Sequence, residues 1–261
     1  MLTTKIDTFE QFISLVISFG KGTGNSIKVI IDTNDDGSIK LDDKGYIKLL
    51  GGYPDSLLYR GQTGKHPLLP KLGRTKKGLE INKEKELISE IKRRGDRITQ
   101  NGQLDDWNLL VYVQHFGLMT RLLDWTTNPL VALWFACQDI KGKDDAYVFV
   151  LNQTDENMLN IQEEPSPFTT KETKIFRPNL NNNRVIAQNG WFTAHAYNET
   201  KNCFQPLEEE ENFKDKVSLF VIPTNQKEVM LQKLNILGIN YETIYPGIEG
   251  TCKYLNWIVT D

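Results

Sequence analysis

Residues 128–138 read NPLVALWFACQ, a helix whose start is marked and whose surface is apolar nearly all the way round. Asn128 can accept hydrogen bonds from the first free amides, and Pro129 suits a first turn, where its missing N–H would be unpaired anyway. No polar stripe is left to face water, so this helix belongs in the middle of a core and the rest of the chain must supply the layers that cover it. With 261 residues, 39% of them apolar, there is material for one large domain or two small ones, and a wholly disordered chain is excluded.

Strand and helix patterns interleave around it without strict alternation. Phe9, Phe12, Ile13, Val16 and Ile17 recur at helical spacing up to Gly20, with Asp7 as a cap and Glu10 three residues on. KVIID, a turn at NDDG and IKLD predict a β-hairpin within about residues 26–50. SLLYRGQ (56–62) predicts a strand, residues 82–97 and 105–115 two helices, and residues 226–236 another. AYVFVLN, RVIAQNGWFTAH and VSLFVIP predict strands. The expected fold is α+β, a single domain over 1–261, rather than a doubly wound sheet.

A net charge of −3 excludes a uniformly basic nucleic-acid coat, yet the charge is unevenly placed. Residues 65–97 hold eleven Lys or Arg against five acids, a local +6 on a chain whose remainder is −9. Lys71, Arg74, Lys76, Lys77, Arg93, Arg94 and Arg97 are its candidate contacts to a phosphate backbone; the alternative is a solvated helix of mixed charge. The acidic run Glu208–Glu211 reads as a solvated loop, because like charges repel. Cys137, Cys203 and Cys252 are odd in number and far apart, and MLTTKIDTFE has neither the basic start nor the apolar stretch of a secretory signal. A reduced, cytoplasmic protein is expected. FISLVISF (12–19) is about half of the roughly 20 residues a bilayer span takes, so no membrane partner is expected.

Three segments set polar side chains among apolar ones. On a strand, residues two apart share a face. Leu58, Arg60 and Gln62 then share one face of the first segment, and Thr120, Leu122, Asp124 and Thr126 one face of the second. Arg184, Ile186, Gln188, Gly190 and Phe192 share one face of the third. Side by side, these strands would bring Arg60, Asp124, Thr126 and Gln188 to one cleft. A buried unpaired charge is costly, so Arg60, Arg121 and Asp124 either pair inside the core or face a ligand. For Arg121 and Asp124 both readings stand. For Arg60 the ligand is favoured: Gly61 lets a bound group come close to the backbone, and a guanidinium fork suits a phosphate or carboxylate.

YRGQ with HPLLPKLGR, then QHFGLMTRLLDWTTNPLVALWFA, RVIAQNGWF and TIYPGIEG resemble, in order, the blocks of the bacterial FRG domain, over roughly residues 8–255. Tyr59 stands where that family has Phe. The FRG domain in turn is similar to the ADP-ribosyltransferase superfamily, with its aromatic-Arg-Gly on a first core strand and a hydroxyl residue on a second strand leading into a helix. The resemblance implies split, mixed or antiparallel sheets flanked by helices, and NAD as donor of ADP-ribose to a macromolecule. RNA or DNA as acceptor accounts for the basic strip better than protein does. The resemblance further implies a bacterial toxin or anti-phage effector held in check by an antitoxin or inhibitor protein. The alternative is a catalytically inactive module that senses NAD or ADP-ribose.

Under this resemblance Arg60 holds the phosphates, Thr126 bonds the nicotinamide ribose or amide, and Trp125, Trp191 or Phe192 stacks on the nicotinamide. Tyr59, Gly61, Gln62, His115, Thr120, Arg121 and Arg184 complete the expected NAD-binding set. The superfamily's catalytic Glu falls nearest Gln188, which orients a hydroxyl but carries no charge. Asp124 or Glu249 is then the candidate for the anion that steadies a cationic sugar. Residues 32–43 match calcium-loop spacing, but their flanks are β-like, which favours a hairpin turn. His66, His115 and His195 are scattered without acids or Cys at metal spacing, so no zinc site is expected.

Overall fold

The computed structural model describes residues 1–22, 30–31, 49–50, 57–74, 81–95, 104–180 and 182–260. Its central element is a seven-stranded sheet in the order β1 (Leu2–Lys5), β11 (Val217–Ile222), β6 (Ala146–Asn152), β4 (Leu57–Gln62), β5 (Leu122–Thr126), β8 (Gly190–Ala194) and β7 (Lys174–Phe176). β1 runs parallel to β11, and the other pairings in this sheet are antiparallel. Two short antiparallel pairs lie apart from it: β2 (Ile30–Ile31) with β3 (Leu49–Leu50), and β9 (Tyr197–Asn198) with β10 (Cys203–Phe204). Of the expected hairpin, IKLD (39–42) and the 32–43 loop fall outside the described residues.

The sheet is nearly parted in its middle. β4 pairs with β6 along all six of its residues but shares a single register pair with β5, Tyr59 with Thr126. The class is α+β, as expected, and the strands belong to one sheet interrupted between β4 and β5.

Helices cover the sheet because its strands are apolar on both faces. On β6, Val148 and Val150 pack to one side, Phe149 and Leu151 to the other. The first side receives α4 (Pro129–Cys137), flanked by α1 (Phe9–Gly22) and α6 (Lys227–Ile236). α4 starts as its sequence predicts: the Asn128 side chain accepts from the amides of Leu130 and Val131 at 2.9 and 3.4 Å. Burial pushes the Cys137 thiol up to about 12, which fits a packing role. For α1 the capping hydroxyl is that of Thr8, which accepts from the Gln11 amide at 3.1 Å, one residue beyond the expected Asp7. α2 (Ile81–Arg94) and α3 (Asp106–His115) contribute to a separate cluster with Leu122, Phe176 and Phe192 from the β5–β8–β7 side.

Two expectations are corrected. RVIAQNGWFTAH is not one strand. Its first part is the short helix α5 (Asn183–Ala187), started by the Asn182 side chain accepting from Arg184 N at 2.8 Å. Asn189, at φ 47, then turns the chain into β8. The acidic run is not a free loop either. Glu208 accepts from the Leu68 amide at about 3.1 Å, and Glu210, largely buried, accepts from the Thr173 hydroxyl at 2.8 Å. Among the described residues no helix is long and apolar enough to cross a membrane.

Candidate functional site

Where β4 and β5 part, a cleft of about 470 Å3 opens between them. Its walls come from both strands, the end of α3, one side of α4, the 3-10 turn Lys71–Arg74, and Arg184 and Gln188 of α5 and its cap. The single rung sets the side-chain directions. Thr126 faces Tyr59, so Asp124, two residues back, lies on Tyr59's side of the sheet and Arg60 on the other. The expectation that Arg60 and Asp124 simply share a face is thereby corrected. They meet because the strands separate and the guanidinium enters the gap.

There Arg60 Nη1 donates to the main-chain carbonyl of Asp124 at 2.6 Å and lies 3.7 Å from its carboxylate. A side chain thus supplies the donor that a β-ladder amide would have supplied. The Arg60 side chain is 15% exposed, and its Nε is buried without a hydrogen-bond partner. Burial lowers its pKa to about 10 against the opposing charge of Asp124, so it remains cationic at neutral pH. Gln62, 7% exposed, accepts from His66 N through Oε1, while its Nε2 has no partner. Buried donors are nearly always satisfied, so two unmet donors bordering one cleft point to a bound acceptor.

Asp124 itself is 61% exposed and held by a relay. Its Oδ1 accepts from Gln114 Nε2 at 2.7 Å. Gln114 Oε1 accepts from the Thr120 hydroxyl, which in turn accepts from Leu122 N at 3.1 Å. Among the described residues lining the cleft, Asp124 is the one carboxylate, facing the cations Arg60, Lys71, Arg74 and Arg184. The field favours an anionic ligand, with one negative point fixed in its midst.

The other expected residues divide clearly. Tyr59 lines the cleft from below, its phenol pushed up to about 12 by burial. His115 lines it too. Its Nδ1 donates to Val111 O at 2.7 Å, leaving Nε2 as an acceptor, and burial lowers its pKa. Arg184 also stacks over Tyr245, 4.7 Å from the ring centre. Gln188 lines the cleft but is engaged, its side-chain Nε2 donating to Ile244 O at 3.2 Å and its main-chain carbonyl accepting from Thr126 Oγ1 at 2.6 Å. Thr126 also accepts from Asn128 N, so its hydroxyl orients α4 and is committed before any ligand arrives. Thr120 is buried and acts through Gln114.

Six expected contacts are taken up elsewhere, two of them, Trp125 and Gly61, while still bordering the cleft. Arg121 is fully buried and paired with Glu84 at 2.7 Å, not with Asp124. Phe192 lies in the α2–α3 core and Trp191 in the core across the sheet, neither lining the cleft. Trp125 borders the cleft, yet its ring is in the core with Nε1 donating to Thr193 at 3.1 Å. Glu249 is exposed on α8 (Ile248–Thr260), bonded to Lys253 at 2.5 Å and outside the lining. Gly61 serves α4 rather than a ligand: a Cβ there would lie 1.9 Å from Ala132 O. Of the basic strip, Lys71 and Arg74 line the cleft, whereas Arg93 and Arg94 both bond Glu90. Lys76, Lys77 and Arg97 lie outside the described residues.

Gln114, His66 and Phe135 line the cleft without having been singled out for it. Gln114 and Phe135 sit inside the QHFG…LWFA block and His66 opens HPLLPK, so block membership is the sequence signal that marks them. Among the described residues no three His, Cys, Asp or Glu side chains are grouped to hold a metal.

The family model of the FRG domain matches residues 55–145. That span carries β4, the basic turn, α3, β5 and α4, which together supply most of the cleft, and it supports the FRG resemblance there. No curated protein and no solved structure matches the chain.

Proposed function

We propose, starting from the FRG match over residues 55–145, that the cleft takes NAD and that the protein transfers its ADP-ribose to a macromolecule, nucleic acid before protein. The observation that carries this reading is the single carboxylate of Asp124 fixed among four cations. A dinucleotide needs that combination: cations for its pyrophosphate, and one anion where positive charge develops on the sugar.

In the proposed reaction Arg60 holds the pyrophosphate with its guanidinium, and Arg74 and Lys71 add charge from the facing turn. The bond between ribose C1′ and the nicotinamide nitrogen breaks, and its electron pair leaves with the ring as neutral nicotinamide. The ribose becomes oxocarbenium-like, steadied by Asp124, whose orientation the Gln114–Thr120 relay fixes. A hydroxyl or amine of the acceptor then bonds C1′ and gives up its proton. An effector of this kind would be kept silent in its host by an inhibitory protein partner.

The test is incubation with NAD labelled in its adenylate and with total RNA or lysate. Wild type labels an acceptor, and Arg60→Ala gives less than about 1% of that label while keeping its circular dichroism. Absence of label from wild type, or equal labelling by the variant, overturns the reading. A second reading, a binding module without chemistry, is favoured by Gln188 standing near the place of the usual Glu and being already engaged. Asp124→Asn separates the two: under the enzyme reading NAD still binds and transfer falls about a hundredfold.

A further inference from the structure

A second cavity of about 510 Å3 lies beside the cleft, between α4, α6, α7 (Tyr241–Ile244) and α8, and the reading above does not use it. The two recesses share Gln138 as a wall. They are also coupled through Tyr245, whose ring carries Arg184 of the cleft at 4.7 Å and Lys253 of the cavity at 4.8 Å.

Its walls are aromatic. Trp134 meets Tyr241 edge-on at 4.8 Å, Tyr241 and Tyr245 stack at 6.5 Å, and Trp257 stacks with Tyr254 at 6.2 Å along α8. α8 is held close here because Gly250 has no side chain; a Cβ would lie 1.8 Å from Tyr245 O. The polar groups between the rings are mostly amides with unused capacity. Among the described residues the Asn256 side chain has no hydrogen-bond partner, and neither do Asn235 Nδ2 and Gln138 Oε1, although each residue's other amide atom is bonded. Lys141 is exposed without a carboxylate partner, Lys253 is shared with Glu249, and Asp139 is the one acid on the wall. The net field is therefore weak.

We infer that this cavity takes a nucleobase. The half-buried rings of Tyr241, Tyr245 and Trp257, backed by buried Trp134, supply stacking that any base can use, and side-chain amides offer the mixed donors and acceptors that match a base edge. One further ring, Tyr254 stacked on Trp257, continues along α8 just outside the cavity and suits a second unpaired base of a single strand better than one free nucleotide. The inference rests on the reading above for its chemistry, since it gives the acceptor strand a seat one residue away from the donor cleft. The binding itself stands on the cavity alone.

The experiment is fluorescence anisotropy of a labelled ten-nucleotide single-stranded oligoribonucleotide against the full chain, with uridine monophosphate and a duplex of the same sequence as competitors. The wild type binds the single strand, the duplex competes poorly, and affinity falls only modestly with salt because few phosphates are neutralised. Trp257→Ala, a partly exposed position, weakens binding about tenfold or more, given the usual stacking contribution of about 1 to 3 kcal/mol per base. Asn256→Ala weakens it less, and Arg60→Ala in the cleft leaves it unchanged. Competition by uridine monophosphate at the strand's own affinity would assign the cavity to a free nucleotide instead of a strand, with the nucleobase site upheld. No binding of either probe, or binding that both cavity variants leave intact, overturns the inference. A chain that binds the oligonucleotide but never transfers label fails only the reading above.

Discussion

Gly61 and Arg121 show how a residue that looks poised for a ligand can be claimed by its own fold. Gly61 follows the cleft arginine, but its missing side chain admits the backbone of α4, with Ala132 O within 1.9 Å of where a Cβ would stand. Gly61→Ala has backbone to displace rather than a flexible tip, so we expect a loss of about 2 to 3 kcal/mol in urea unfolding; a change under about 0.5 kcal/mol would contradict the close approach. Arg121 meets Glu84 through its Nε and its own backbone amide, at 2.7 and 2.8 Å, with both side chains almost wholly buried. Glu84→Ala leaves a lone buried cation and is expected to cost about 3 to 5 kcal/mol, while Glu84→Leu with Arg121→Met recovers most of it. The sequence marked Arg121 as a charge needing a partner but could not name one 37 residues upstream, because pairing at that distance depends on the docking of α2.

At the scale of elements, what was legible is what local chemistry decides. α4 is announced by Asn128 and Pro129, and β4, β6 and β11 by their apolar runs, and each is found within about a residue of where its pattern predicts. Arg184 to Ala187 is β-like in composition yet helical, since an Asn182 cap and the turn at Asn189 outweigh propensity. Glu210 departs from its local pattern for a related reason: four acids in a row predict solvent, but the β10–β11 connection folds back over His195. There the two groups lie 3.8 Å apart, with Thr173 and Thr193 bonded to them. Burial raises Glu210 to about 7 and lowers His195 to about 3. The signs oppose. Glu210 contributes stability below about 4.5 that is lost as pH rises through 7. His195 contributes stability above about 6.5 that is lost as pH falls towards 3. Glu210→Gln removes the first slope only, so its stability relative to wild type should rise between pH 5 and 7.5. A pH-independent difference in melting temperature would contradict a buried, protonated Glu210.

For the whole molecule, the cleft follows from an incomplete sheet. Alternation within strands predicts a shared cleft for Arg60, Asp124 and Gln188, and the three do border one space, although by a different route: a parted sheet for the first two and a helix cap for the third. No single-strand pattern carries that information, because the parting depends on how β5 and β4 are separately tied to β8 and β6. With four cations against one carboxylate, the proposed binding of NAD, measured by titration calorimetry, should weaken steadily as salt is raised. An affinity indifferent to ionic strength would mean that these cations do not meet the ligand.

The lone rung between Tyr59 and Thr126 has one more effect. Each half-sheet is braced by its own helices, so the recess between them is present as soon as the chain folds, with its guanidinium already across the opening. A guest arriving there finds a vestibule with fixed jambs, and little of its interaction energy goes into arranging the doorway.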